Sequence, residues 1–215
     1  MLGSGDFTIE CFVRYQTFLT TVYPGPTSVL FDLWSTSDGV NVIGGDNPNL
    51  QIRFIYNGVN QTFAVQMANG NYQSIFGYIP PINHIITSNV WYHTGCMRRN
   101  NHMYIIHNGF ISKNGGASSR TDVTAYSFNG QRSIRIGNSI NLGAFTGYLN
   151  GDISELRISN IARYSGSGVD TYYTVPETLT KDANTIFKLG DNYIDEVSST
   201  VLTNVGTIQA TKNYR

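Results

Sequence analysis

Side chains able to carry acid–base, nucleophilic or metal chemistry are few in these 215 residues: four glutamates (Glu10, Glu155, Glu177, Glu196), four histidines (His84, His93, His102, His107) and two cysteines (Cys11, Cys96). Glycoside hydrolysis takes two carboxylates aimed into one groove, about 5 to 9.5 Å apart. On a strand only even spacing puts two side chains on one face. Asp152 and Glu155 are three apart and diverge on a regular strand, while Asp6, which shares parity with Glu10, stands in a Gly-rich lead-in. The acids therefore speak against a glycoside hydrolase, and no enzymatic activity is expected. His102 and His107 are five apart and face opposite sides of one strand. His84 and His93 add no Cys/His ligand spacing, and there is no nucleophile elbow. Cys11 and Cys96 each lie inside a strand-like segment and read as small buried apolar side chains rather than a disulfide.

No cofactor is expected, and calcium is the one ion that stays open. The loop over residues 32–39 (Asp32, Asp38) and the turn over 44–49 (Asp46, Asn47, Asn49) carry the oxygens it takes. Turn formation explains the same residues. Aromatic rings are the larger resource, with 14 Tyr, 11 Phe and the two tryptophans Trp34 and Trp91. Trp91 reads as core. Tyr72 and Tyr78, with Asn69, Asn71 and Gln73, combine stacking rings with the amide donors that a sugar site uses. The same set would also suit a protein interface, where Tyr is enriched.

The elements that must position these groups are strands. The chain is organised around residues 147–164, GYLNGDISELRISNIARY, in which Leu156 and Ile158 alternate with Glu155 and Arg157 in the period-two pattern of a half-buried strand. Residues 7–15 alternate in the same way and predict a central strand. Further strands are expected over 29–34, 39–43, 50–56, 61–67, 91–98, 102–107 and 133–136, separated by turns rich in Gly, Asn and Asp. Residues 68–84 contain Pro80-Pro81 and no clean period, and predict a long functional loop. Residues 109–129 predict another loop, holding a short strand. No helix longer than a turn is expected, and residues 175–181 are the place for a short one.

Three blocks, in order, resemble one family. GSGDFTIECFVRY from Gly3 is similar to a "G-T-G-D-F-T-I-E-F-W-V" strand. NVWYHTGCMRRNNHMYIIHNG from Asn89 is similar to "W-H-H-I-A-V-V-R … L-Y-V-N-G", with His93 on its second His. The organising stretch resembles the "G-x-I-D-E-L-R-I-S … A-R-Y" ending. Together they resemble the laminin-G-like, concanavalin A-like jelly rolls frequent in tail and surface proteins of bacterial viruses. The resemblance runs from Gly3 to about Pro176. It implies an all-β fold, a two-sheet antiparallel β-sandwich, and a packing and hydrogen-bonding role for His93. NTIFKLGDNYIDEVSST from Asn184 resembles the family's opening strand, which in relatives precedes the first block. The chain is thus expected to form one domain over 1–215, with residues 177–215 completing the sheet beside the N-terminal strand.

Composition agrees with strands and turns, since charged residues are 13% of the chain, well below an average domain. With 14 basic and 14 acidic residues the net charge is zero, so neither nucleic acid nor membrane is an expected partner. No 18-residue apolar run and no leader-like start is present, and use without secretion is expected. The resemblance implies a structural or adhesive virion component, such as a capsid decoration, head-fibre or tail-fibre module, whose partners are other virion proteins, copies of itself and a host surface glycan. A free carbohydrate-binding lectin module is the alternative.

Overall fold

The computed structural model describes residue 2 and residues 4–17, 28–34, 50–57, 62–69, 71–74, 86–112, 133–137, 149–165, 171–189 and 195–198. In residues 50–57, 62–69 and 71–74, Val65 apart, the description is of the backbone. The expected strand over 39–43 lies outside the described residues.

Among the described residues twelve strands form: β1 (Phe7–Tyr15), β2 (Ser28–Trp34), β3 (Leu50–Asn57), β4 (Thr62–Asn69), β5 (Asn71–Ser74), β6 (Trp91–Arg99), β7 (His102–His107), β8 (Phe110–Ser112), β9 (Ser133–Ile136), β10 (Gly151–Ser159), β11 (Thr171–Tyr172) and β12 (Thr185–Lys188). They make a seven-stranded sheet in the order β11-β8-β7-β6-β1-β10-β12 and a five-stranded sheet in the order β5-β4-β3-β2-β9. Every pairing is antiparallel. One apolar cluster joins the two sheets: Phe7, Ile9 and Val13 of β1 and Leu156 and Ile158 of β10 pack with Phe31 of β2 and Val65 of β4. Cys11 and Cys96 are free thiols in the same cluster, as expected. Burial pushes both thiols up.

Two tight turns set the register of the middle strands. Asn100 and Asn101 have φ of 48° and 62°, and Asn108 and Gly109 have φ of 44° and 89°. Left-handed backbone at both central residues matches the right-handed twist of a hairpin, and Asn and Gly adopt it at low cost. Arg99 consequently faces His102, and His107 faces Phe110. The second turn starts β8 inside the expected loop.

The organising strand is not regular. Opposite β1 its partners run Ser154↔Phe12 and then Arg157↔Glu10, so Glu155 and Leu156 together face the single residue Cys11. This bulge holds Glu155 at φ 53°, a conformation unusual for a side chain of its size. Parity flips across it, which brings Asp152 and Arg157, five apart in sequence, to one face opposite Arg14 and Glu10. Leu156 and Ile158 take the inner face as expected, and the Glu155 carboxylate accepts the Leu179 N–H at 2.6 Å while Arg157 donates to the adjacent Thr180 carbonyl. What the bulge corrects is the premise of a regular strand, on which Asp152 and Glu155 diverge.

Four further expectations change. The segment read as loop from residue 68 begins as a hairpin, with Asn69 opposite Asn71, Ala68 opposite Tyr72 and Met67 opposite Gln73. Residues 175–181 make a bend and no helix. Residues 171–172, outside the expected strands, form the edge strand β11 against β8. β12 does complete the seven-stranded sheet, but against β10, one strand further out than the N-terminal strand.

Candidate functional site

The polar residues of the three resembling blocks meet on the outer face of the seven-stranded sheet, the face turned away from the five-stranded sheet. Thr8, Glu10, Phe12 and Arg14 alternate onto it from β1 because Phe7, Ile9, Cys11, Val13 and Tyr15 take the inner positions. Gly95 of β6 stands directly opposite Glu10. A Cβ at Gly95 would run into the Ile9 carbonyl, so glycine there lets the two strands close up.

Glu10 is fully buried, and its carboxylate is saturated. Oε1 accepts Arg157 Nε and Nη2 at 2.9 and 2.6 Å. Oε2 accepts the Tyr164 hydroxyl at 2.6 Å and lies 2.9 Å from His93 Nε2. His93 Nδ1 lies 2.6 Å from the Tyr173 hydroxyl. Burial alone would raise the Glu10 carboxyl. The hydrogen bond and charge of His93, the charge of Arg157 and the Tyr164 hydroxyl outweigh it and hold the group below the usual carboxylate range. Burial and the neighbouring Glu10 charge push the Tyr164 hydroxyl up. A buried carboxylate with four donors is a structural anchor.

What it anchors is the chain after β10. Thr8 Oγ1 donates to the Ile161 carbonyl at 2.8 Å and accepts the Arg163 N–H at 3.0 Å. Arg163 donates to Ser159 Oγ at 2.6 Å and, through Nη1 and Nη2, to both oxygens of Asp182 at 2.8 and 2.7 Å. Those Arg163 hydrogen bonds hold the exposed Asp182 carboxyl well below its usual range. Arg99 donates to the Tyr164 carbonyl, and Arg157 Nη1 to the Thr180 carbonyl. Ala162, Tyr164 and Tyr173 then cover the apolar outer patch of Met97, Tyr104, Ile106 and Ile111. The motif residues Arg157, Ser159, Arg163 and Tyr164 thus tie a strap across the sheet.

At the other end of this face lies a second polar group. Arg14 stands opposite Trp91 on one side and Asp152 on the other. Its guanidinium carbon sits 5.2 Å over the indole centroid, and Nε and Nη2 both donate to Asp152 Oδ2, at 2.9 and 2.8 Å. Trp91 is half-buried, not core as its position in the strand suggests.

Of the residues singled out in the sequence, Asn69, Asn71, Tyr72 and Gln73 fall on the β4–β5 hairpin at the edge of the five-stranded sheet. Tyr78 and the calcium candidates Asp46, Asn47 and Asn49 lie outside the described residues. Among the described residues no group of three or more His, Cys, Asp or Glu gathers as a metal site would. Sequence reading missed the Arg14–Asp152–Trp91 group because its members belong to three different strands, and only the pairing brings them together.

Two antiparallel sheets closed over one core make this chain an all-β, two-sheet antiparallel β-sandwich. No family model and no curated protein matches it. Among solved structures it is similar to a putative carbohydrate binding protein from Bacteroides ovatus, at 16% identity and a TM-score of 0.46, covering 92% of this chain and 51% of that one. Tailspike protein 2 of an Escherichia coli bacteriophage is similar at 11% identity and a TM-score of 0.44, over 75% of this chain and 20% of that one. The LG4-5 domains of the mouse laminin alpha1 chain are similar at 11% identity and a TM-score of 0.41, over 83% of this chain and 44% of that one. The chain spans about half the length of the first of these proteins and less of the others.

Proposed function

We propose that the chain is a non-enzymatic structural or adhesive module of a bacterial virus particle, displayed in several copies and with a weak capacity for glycan. The observation that carries the reading is the fate of the motif residues. Glu10, His93, Arg157, Arg163 and Tyr164, the best chemistry in the chain, are consumed in fixing a strap over one sheet face. Glu10 has no exposure through which to act on a substrate. A sandwich braced in this way offers rigid surfaces and loops for contact. The β4–β5 hairpin with Asn69, Asn71, Tyr72 and Gln73 is the proposed partner surface, and docking on a repeating lattice would bury about 800 Å² per partner. Mass photometry and co-sedimentation of the purified chain, with emptied heads and with tails of the virus that encodes it, test the reading. Association with one particle part is expected; a monomer that sediments with none defeats it. The free lectin reading is favoured instead if glycan binds and no particle part does.

A further inference from the structure

We infer that Trp91, Arg14 and Asp152, at the open end of the outer face, form a subsite for a neutral hexopyranose. The inference gives a place to the glycan-binding part of the reading above and rests on it in that respect alone.

Three adjacent strands supply one residue each, held in line by the β6–β1 and β1–β10 pairings. Both Arg14 bonds to Asp152 go to Oδ2. Among the described residues, Asp152 Oδ1 and Arg14 Nη1 take no protein partner, and neither these side chains nor Trp91 bond to any other described residue. They are also accessible: the Arg14 and Asp152 side chains are 31% and 18% exposed. This sets the group apart from the Glu10 cluster, where carboxylate and guanidinium are buried and satisfied. An acceptor and a donor, fixed side by side and facing water, match a sugar hydroxyl that donates to Oδ1 while a neighbouring one accepts from Nη1. The indole, with Val90 beside it in sequence and 45% exposed, supplies apolar surface for the C–H face of the ring.

Charge selects the class of sugar. Asp152 neutralises Arg14 at contact distance, so no net positive charge is left to draw a carboxylated or phosphorylated sugar, and Oδ1 would repel one. A neutral hexose or N-acetylhexosamine fits.

The test follows the indole N–H of Trp91 and the backbone N–H groups of Arg14 and Asp152 by NMR in the full chain. The probes are methyl mannoside, methyl galactoside and N-acetylglucosamine, with N-acetylneuraminic acid as the anionic comparison. Saturable shifts at these three residues with at least one neutral sugar, and none with the anionic one, are expected. Asp152→Asn and Trp91→Ala should each weaken that binding about 10- to 100-fold, the loss of one charge-assisted bond or one apolar contact. The wild-type titration decides the matter even if a variant fails to fold. Absence of shifts with all three neutral sugars, shifts confined to the β4–β5 hairpin, or a preference for the anionic sugar would overturn the inference. A chain that sediments with a particle part but shows no sugar shift keeps the virion reading and loses this site. The reverse result keeps the site and loses the virion.

Discussion

At the scale of single residues, Glu10 decides most. Its folded carboxyl lies below the ordinary glutamate value of about 4.3, so the unfolded chain binds a proton more readily than the folded one. The stabilisation is therefore fully present above that value and is lost as pH falls toward and through the folded one. Wild-type urea midpoints should hold between about pH 7 and pH 5.5 and drop below about pH 4. Glu10→Gln should cost about 3 to 5 kcal/mol near neutrality, because Arg157 is left buried without its counter-charge. The variant should also lose much of the acid-side slope. Equal slopes for the two proteins would show that other carboxylates carry the acid transition. Gly95→Ala tests the neighbouring close approach: the Ile9 carbonyl stands where the new Cβ would go, and overpacking of this kind costs about 1 to 3 kcal/mol. An unchanged melting temperature would mean that β1 and β6 can part without loss.

Among the elements, β10 and β12 show how far the sequence could be read. Alternation of apolar and polar residues gave β1 and β9 their full lengths, since a half-buried strand writes its faces into a period of two. The same rule failed inside β10, where one extra residue at Glu155 reverses the faces; a bulge leaves no mark in composition, and only the pairing with β1 reveals it. β5 was hidden for a different reason: Asn71–Ser74 is a short polar edge strand and has no apolar face to betray it. The strap was half legible. Its residues carry the family-like ending, yet their partners lie far off in sequence, as Glu10 does from Tyr164. β12 covers β10, and its approach brings Asp182 to Arg163 and Thr180 to Arg157. Removing residues 181–215 should therefore free the β10 edge and slacken the strap together, giving aggregation or unfolding. A soluble truncated chain with the wild-type melting temperature would show that β12 is dispensable.

For the whole molecule, charge balance shapes how it meets a partner. Fourteen basic and fourteen acidic residues leave no net charge, and the sugar subsite itself is an internally neutralised pair. Long-range steering should thus contribute little to association, and complexes should depend on close contact. A shallow subsite of three side chains binds weakly by itself. Presenting copies together turns each later contact into an intramolecular one and raises avidity by about 10²- to 10⁴-fold with no new contact. The expected outcome is a chain whose monomer binds a neutral polysaccharide surface barely above background. The same chain on a tetravalent carrier should be retained about a hundredfold longer. Raising salt from about 0.05 to 0.5 M should alter that retention by less than about twofold, because no charges are screened in forming the contact. Surface plasmon resonance of the two forms at both salt concentrations makes the check. Retention that collapses with salt would point to an ionic partner surface elsewhere on the molecule, and equal retention of monomer and tetramer would remove multivalency as the means by which the module holds its target.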